Sequence, residues 1–213
     1  AAYAPGWGPI MGAPFADALD DEVDQWSRGE YLGANNLEDD IATIANAANG
    51  FGYKADDYAN TKDGANLGSF TTVAPNTIQA NGVIGRFIGV EPNLTPDVDV
   101  FELDVMDGDL RLRVVPLDVD SLYADAGSST SGSNLAVKAT LLDENGIPVS
   151  FGSEDGDNLL GQLIEKDDIT AGTYYLEVEG AGRGGVTGGF GTYASMGAYS
   201  IVGEVPLPPM NVM

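Results

Sequence analysis

The spacing of apolar residues divides the chain into two parts near residue 69. Before that point the clearest pattern is helical, because the apolar side chains between Ile41 and Ala48 recur every three or four residues. Asn36 precedes this stripe as a candidate cap, acidic residues fill the first turn, and a glycine follows its end. The pattern predicts a helix over residues 37–49.

A second helical pattern lies in the N-terminal arm, which we define as residues 1–35. Leu19, Val23 and Trp26 are spaced by four and three residues, which predicts a short helix over residues 16–26. Glycine and proline punctuate the rest of the arm and favour irregular structure.

Beyond residue 69 the pattern changes to short alternating or apolar runs separated by Gly, Asp, Asn and Pro. Such runs without intervening helices predict a mainly β chain, with two antiparallel sheets packed as a jelly-roll-like β-sandwich. The predicted strands cover residues 82–90, 98–105, 109–116, 134–142, 148–152, 159–164, 172–178 and 197–205.

The same changes in composition predict the organisation of the chain. We expect the arm and helix at 1–57, a polar linker at 58–69, the sandwich at 70–205 and an extended tail at 206–213. The glycine-rich stretches 126–133 and 180–191 are predicted to be loops. The sequence DENG at 143–146 predicts a hairpin turn, with Asn145 and Gly146 suited to positive φ.

The composition of the chain excludes some classes of partner. The chain has 9 basic and 33 acidic residues, a net charge of −24, and neither histidine nor cysteine. Such a charge repels phosphate backbones, so we expect no nucleic-acid partner. It suits a salty extracellular setting, a cation-binding surface or a solvated face. The sequence lacks an apolar run of about 18 residues, so no membrane span is predicted.

The absence of histidine and cysteine also excludes Ser-His-Asp and Cys-His catalytic sites. Paired carboxylates are not excluded, but nothing singles out a pair. The segment GRGG at 182–185 lacks the Lys-Ser/Thr step of a phosphate-binding loop. We therefore expect that the chain is not an enzyme.

Two N-terminal motifs, GPIMG at 8–12 and QWSRGEY at 25–31, are joined by ANN at 34–36 and EDDI at 38–41. Together they resemble the end of the catalytic domain in secreted bacterial metallopeptidases of the metzincin type. In that family the step equivalent to Ile10-Met11 lies beneath a zinc ion held by upstream histidines. The resemblance implies that residues 1–57 are a remnant of a peptidase domain, from a processed or truncated precursor. No zinc site is expected, because zinc of this type needs histidine ligands.

The second part resembles the bacterial pre-peptidase C-terminal domain, a jelly-roll-like sandwich appended to secreted proteases. The motifs that carry the resemblance are GVI at 82–84, DVDVF at 97–101, NL at 134–135, LLDENG at 141–146, AGTYYLEV at 171–178 and YASMGAYS at 193–200. It implies a non-catalytic, secreted accessory module that binds an extracellular polymer or protein surface, or that aids secretion or stability. We interpret Tyr193 and Tyr199 as core or rim residues rather than sugar-stacking ones.

Five residues offer the oxygen ligands that calcium prefers. They are Asp56, Asp57 and Asn60 in the linker region and Asp97 and Asp99 at a strand entry. In related sandwich domains of bacterial collagenases, two such groups converge on calcium, so the resemblance implies a calcium site here. The alternative is that these residues are solvated turn acids and caps. A weaker acidic cluster consists of Glu154, Asp155, Asp157 and Asn158.

A different class of function also fits the sequence. The arm at residues 1–35 could add to the sheet edge or groove of a neighbouring copy. The chain would then be a homo-oligomeric, structural subunit of an extracellular filament or surface layer.

Overall fold

The computed structural model describes residues 7–11, 23–31, 33–49, 52–66, 69–85, 97–117, 135–155, 158–182, 190–193 and 195–208. One α-helix, α1, covers Asp40–Ala45, and short 3-10 helices cover Ala47–Asn49 and Lys62–Gly64. The strands are β1 Trp7–Pro9, β2 Val23–Gln25, β3 Thr71–Ala74, β4 Thr77–Ile84, β5 Val98–Val105, β6 Gly108–Pro116, β7 Val137–Leu142, β8 Pro148–Phe151, β9 Ser153–Asp155, β10 Asn158–Ile169, β11 Gly172–Gly180 and β12 Gly197–Glu204.

Two antiparallel sheets dominate the described chain, which confirms the predicted mainly β sandwich. The six-stranded sheet has the order β3-β4-β12-β6-β10-β9, and the four-stranded sheet has the order β5-β11-β7-β8. Their inner faces meet in one hydrophobic core. The largest contributors are Phe101, Leu141 and Leu176 from the smaller sheet and Leu112, Ile164 and Ile201 from the larger one.

Each predicted strand overlaps an observed one, and β5 matches its predicted bounds. The sequence pattern missed β1, β3, β9 and the first five residues of β4, which are short or rich in polar residues. It also ended β10 five residues early, because residues 165–168 are all charged and a bulge lies between Lys166 and Ile169. Three predicted features fall wholly or partly outside the described residues: the end of a predicted strand at 86–90, the predicted loop at 126–133, and residues 183–189 of the predicted loop at 180–191.

The predicted hairpin turn joins β7 to β8. The amide of Gly146 donates to the carbonyl of Asp143 at 2.9 Å, and Gly146 has a φ of +79°. The Asp143 carboxylate accepts hydrogen bonds from the amides of Asn145 and Ile147. Only the glycine of the predicted pair takes the left-handed conformation, since the aspartate side chain organises the rest of the turn.

The helix is shorter than the sequence predicted. Asp39, not Asn36, is its cap: the Asp39 backbone is extended, and its carboxylate accepts a hydrogen bond from the amide of Ala42 at 2.7 Å. Asn46 ends the helix, because its own side chain accepts a hydrogen bond from the amide of Ala48 and competes with helical pairing. Of the predicted apolar stripe, only Ile41 is buried.

The predicted helix at 16–26 is wrong over its described part. Val23–Gln25 forms β2, which pairs in parallel with β1, and residues 16–22 lie outside the described residues. Met11 follows β1 in a turn with 72% of its surface exposed. With six residues in α1, no helix in the described ranges is long and apolar enough to span a membrane.

A buried tyrosine attaches the helical region, which comprises α1 and the 3-10 helix at Ala47–Asn49, to the sandwich. The Tyr193 hydroxyl accepts a hydrogen bond from the amide of Ile41 at 3.1 Å and donates one to the Asp39 carboxylate. Ile41 and Tyr193 pack together, with Trp26 among the residues around them. Helix α1 is therefore fixed at its first turn by a residue more than 150 positions away.

Candidate cation site

The sheet places one acidic side chain inside the sandwich. Alternation along β5 directs Phe101, Leu103 and Val105 into the core, and Asp99 shares their face. Asp99 is 0% exposed. Its Oδ2 accepts a hydrogen bond from the hydroxyl of Tyr199 on β12, whereas its Oδ1 has no hydrogen-bond partner among the described residues.

The space for this pair comes from a glycine on β4. A Cβ atom at Gly82 would lie 2.3 Å from the Tyr199 hydroxyl and 2.9 Å from Oδ2 of Asp99. Because real Cβ atoms do not approach other atoms so closely, a larger residue would displace the tyrosine or the aspartate. The close packing of β4 and β12 against β5 thus depends on Gly82 at this point.

Asp97 lies just before β5 and is 7% exposed. Its Oδ2 accepts a hydrogen bond from the amide of Gly85 at 2.7 Å, and its Oδ1 likewise finds no partner in the described part of the chain. Two buried carboxylates, two residues apart in the sequence, therefore each leave one oxygen without a partner among the described residues. Buried polar atoms without partners are rare and costly in folded proteins.

The linker brings a third carboxylate to the same place. One carboxylate oxygen from each of Asp56, Asp97 and Asp99 lies within 4.8 Å of the other two. The linker is held there by backbone pairing with β5, since the amide of Val100 donates to the carbonyl of Ala59 at 3.0 Å. We call Asp56, Asp97 and Asp99 the aspartate triad.

The other two predicted ligands, Asp57 and Asn60, are not part of the triad, but their hydrogen bonds hold the linker beside it. Asn60 donates from Nδ2 to Oδ2 of Asp56 at 2.7 Å, and its Oδ1 accepts from the amide of Val98 at 2.9 Å. Asp57 accepts a hydrogen bond from the amide of Val83 at 3.0 Å. Both residues fasten the linker to neighbouring strands, which fixes where Asp56 lies.

Burial makes Asp97 and Asp99 costly to ionise. Desolvation raises the pKa of Asp97 to about 7, against the lowering effect of the Gly85 amide. Desolvation also raises the pKa of Asp99 to about 8, although the Tyr199 hydrogen bond favours the ionised form. The charges of neighbouring aspartates raise both pKa values further, and the pKa of Asp57 is raised mainly by burial.

The donor set fits a hard cation. All three triad ligands are carboxylate oxygens. Two of the three carboxylates are buried, and each of these has an oxygen, Oδ1, without a hydrogen-bond partner in the described part of the chain. A bound divalent ion would satisfy these oxygens and remove their mutual repulsion. Protonation of Asp97 and Asp99 is the alternative way to relieve the same cost.

A polar cleft of about 510 Å³ opens beside the linker, lined in part by Asp56, Asp57 and Ser69. It gives solvent a route to the exposed member of the triad. Among the described residues, the triad is the one group of three or more acidic residues with ligand atoms this close together. Of the weaker predicted cluster, Asp157 lies outside the described residues and Glu154 is on β9.

Sequence reasoning missed the role of Tyr199. It predicted a core or rim aromatic, and the ring is fully buried, but the hydroxyl also positions Asp99. A buried tyrosine hydroxyl usually has a hydrogen-bond partner, so the prediction of Tyr199 as a core residue already indicated that a polar group lies beside it.

Comparison with known proteins identifies no family for this chain. No family model and no curated protein matches it. It is weakly similar to a protein of Sulfurospirillum deleyianum known from its crystal structure, with 11% identity, a TM-score of 0.28, and coverage of 62% of this chain and 98% of that one. The fold and the site therefore define only a class, a mainly β sandwich with a buried acidic cluster.

Proposed function

We propose that this chain is a non-catalytic, extracellular accessory module in which calcium fastens the linker to a β-sandwich. The observation that carries the proposal is a pair of buried oxygens, Oδ1 of Asp97 and of Asp99, which have no hydrogen-bond partner among the described residues and belong to carboxylates that cluster with Asp56. An accidental cluster of surface acids would be solvated. Here two of the three acids are removed from water, so a bound ion or proton must compensate them.

The role of the ion in this proposal is structural. Asp56, Asp97 and Asp99 would hold it, and it would supply positive charge at the contact between the linker and β5. Neutralising the carboxylates stabilises that contact and stiffens the connection between the helical region and the sandwich. A non-catalytic role is supported by the absence of histidine and cysteine, because the chain can build neither a histidine-ligated zinc site nor a Ser-His-Asp or Cys-His catalytic site.

The accessory role follows from the sequence motifs and remains part of the proposal. The N-terminal motifs resemble the end of a secreted metallopeptidase domain, and the β-rich part resembles the pre-peptidase C-terminal domain. A module of this kind would bind an extracellular polymer or protein surface, or would aid secretion or stability. Millimolar extracellular calcium suits a site of modest affinity, and the net charge of −24 attracts cations.

Isothermal titration calorimetry of the whole chain tests the calcium site. After treatment with a chelator, the protein should bind one Ca²⁺ at the triad, with a dissociation constant of about 10⁻⁴ to 10⁻³ M. Asp99→Asn should remove this binding. Asp104→Asn is the matched control, because Asp104 is an exposed aspartate on the same strand. Equal binding by the wild type and Asp99→Asn would contradict the proposal.

A further inference from the structure

Three asparagines in this chain are followed directly by glycine, at positions 49, 81 and 145. The structure describes both residues of two of these pairs, Asn81-Gly82 and Asn145-Gly146, whereas residue 50 lies outside the described residues. Asparagine is a chemically labile residue, because its side-chain amide can react with the main chain. The two described pairs therefore compare the same dipeptide in two structural settings.

The reaction of an asparagine with the residue that follows it needs only water. The backbone nitrogen of the following residue attacks the side-chain carbon Cγ, a new C–N bond closes a succinimide ring, and the side-chain nitrogen leaves as ammonia with the proton of the attacking amide. Water then opens the ring at either carbonyl and produces aspartate or isoaspartate. Glycine favours the attack, because no Cβ shields its nitrogen and its backbone turns freely.

The surroundings of the two glycines differ, although both asparagines are exposed. A Cβ atom on Gly82 would lie 2.3 Å from the Tyr199 hydroxyl, so the backbone at this position is tightly enclosed. The nearest atom to a Cβ on Gly146 is 3.5 Å away, at the Cδ of Lys62. Water and the reacting side chain therefore have room around Gly146 and little room around Gly82.

Strand pairing protects the first pair. Gly82 lies inside β4 as the register partner of Tyr199 on β12. The amide of Val83 points away from β12, to the carboxylate of Asp57. Because successive amides of a strand point to opposite sides, the Gly82 amide faces β12 and is held in the sheet. Ring closure at Asn81 therefore requires β4 to open locally.

The second pair lies in the turn between β7 and β8, beyond the paired residues of both strands. The Gly146 amide donates one hydrogen bond, to the carbonyl of Asp143, and Gly146 has a φ of +79°. Among the described residues, no group forms a hydrogen bond with the Asn145 side chain. Since β8 is the edge strand of the four-stranded sheet, this turn can open without disturbing the core.

We propose that Asn145 is a site of spontaneous deamidation in the folded protein, whereas β4 protects Asn81. The modification adds a carboxylate to a chain whose net charge is already −24. Isoaspartate also adds a methylene group to the main chain, so the hydrogen bonds between Asp143 and Ile147 no longer fit and the hairpin loosens. This inference is independent of the cation site.

Ageing the whole chain in mildly alkaline buffer, below its melting temperature, tests the proposal, because hydroxide helps to remove the proton of the attacking amide. Peptide mapping by mass spectrometry should show loss of the amide at residue 145, while Asn81 keeps its amide. Labelling with an isoaspartyl methyltransferase should show isoaspartate at residue 145 as the larger of the two products.

The same incubation in concentrated urea is the matched control, because an unfolded chain exposes both pairs without a strand or a turn. Asn81 and Asn145 should then react at similar rates. The variant Asn145→Gln keeps a side-chain amide in the turn and should stay intact, because its larger ring closes much more slowly.

Three results would each overturn the proposal. The first is an Asn145 that stays intact in the folded protein but reacts in urea. The second is reaction of Asn81 and Asn145 at equal rates in the folded protein. The third is aspartate at residue 145 without isoaspartate, which would indicate direct hydrolysis of the side chain.

Discussion

The hydroxyl of Tyr199 donates a hydrogen bond to Oδ2 of Asp99 between the two sheets of the sandwich. Both side chains are fully buried, and the Tyr199 ring also packs edge-on against Phe101, with 6.4 Å between ring centroids. The contact fixes one oxygen of Asp99, whereas the other has no partner within the part of the chain that the structure describes. A core tyrosine thereby positions a ligand of the proposed calcium site.

Removing the Tyr199 hydroxyl should destabilise the protein. In Tyr199→Phe the ring still packs, but Asp99 loses the one side-chain hydrogen bond that the described residues give it, and a buried unsatisfied group costs about 1–3 kcal/mol. Urea unfolding in the presence of a chelator measures the change. Tyr175→Phe is the control, because Tyr175 is only partly buried and lies on the outer face. Equal stability of Tyr199→Phe and the wild type would contradict the assigned role.

Without calcium, stability should fall as pH rises from about 5 to 8. An aspartate titrates near 4 in the unfolded chain, whereas burial raises the pKa of Asp97 to about 7 and that of Asp99 to about 8 in the folded protein. The folded state therefore binds more protons in this window, and the free energy of unfolding declines as they are lost. One unit of pKa difference on one carboxyl corresponds to about 1.4 kcal/mol.

Melting temperatures at pH 5, 6, 7 and 8 check this prediction. Millimolar calcium should raise the melting temperature at pH 8 much more than at pH 5, because calcium binds the ionised carboxylates. The Asp97→Asn/Asp99→Asn variant should show a flatter pH profile than the wild type with a chelator present. A wild-type melting temperature that rises from pH 5 to 8 under those conditions would refute the assignment.

Adding one methyl group at Gly82 should disturb the site. The new Cβ of Gly82→Ala would meet the Tyr199 hydroxyl and Asp99, and overpacking of a core costs about 1–3 kcal/mol. Calcium affinity should fall with stability. In the control Gly172→Ala, the nearest atom to the new Cβ is 3.7 Å away, so this variant should melt like the wild type. Similar losses in both variants would show that the effect is not local.

The Tyr193 hydroxyl should hold α1 in place. In Tyr193→Phe the amide of Ile41 loses its acceptor and Asp39 loses a donor. Hydrogen–deuterium exchange should accelerate across residues 39–45, while the strands of the sandwich keep their protection. Tyr53→Phe, in the same apolar cluster, serves as the control and should leave exchange unchanged. Uniform exchange in Tyr193→Phe and the wild type would contradict this attachment.

Local patterns predicted much of the fold. Alternation predicted β5 to the residue, because each of its inward positions is apolar except Asp99. The helix was overestimated, since the Asp39 cap depends on a distant tyrosine and Asn46 competes for backbone hydrogen bonds. Neither effect is visible in helical spacing alone.

The sequence predicted which residues lie at the candidate site, but it predicted the function of only some of them. Carboxylates near a strand entry indicated calcium, and three of the five named residues converge. The supporting roles of Asp57 and Asn60 could not be predicted, because each depends on a backbone amide supplied by β4 or β5. The contact between Asp99 and Tyr199 spans 100 residues and depends on how the two sheets pack together, which a single sequence does not reveal.

Anomalous diffraction from crystals grown with calcium tests the central claim most directly. The account predicts a peak between Asp56, Asp97 and Asp99, with calcium–oxygen distances of about 2.3–2.6 Å to oxygens that include Oδ1 of Asp97 and Asp99. Crystals of Asp99→Asn should lack the peak. A wild-type crystal in about 10 mM calcium with no peak at the triad would contradict the account, given the expected affinity.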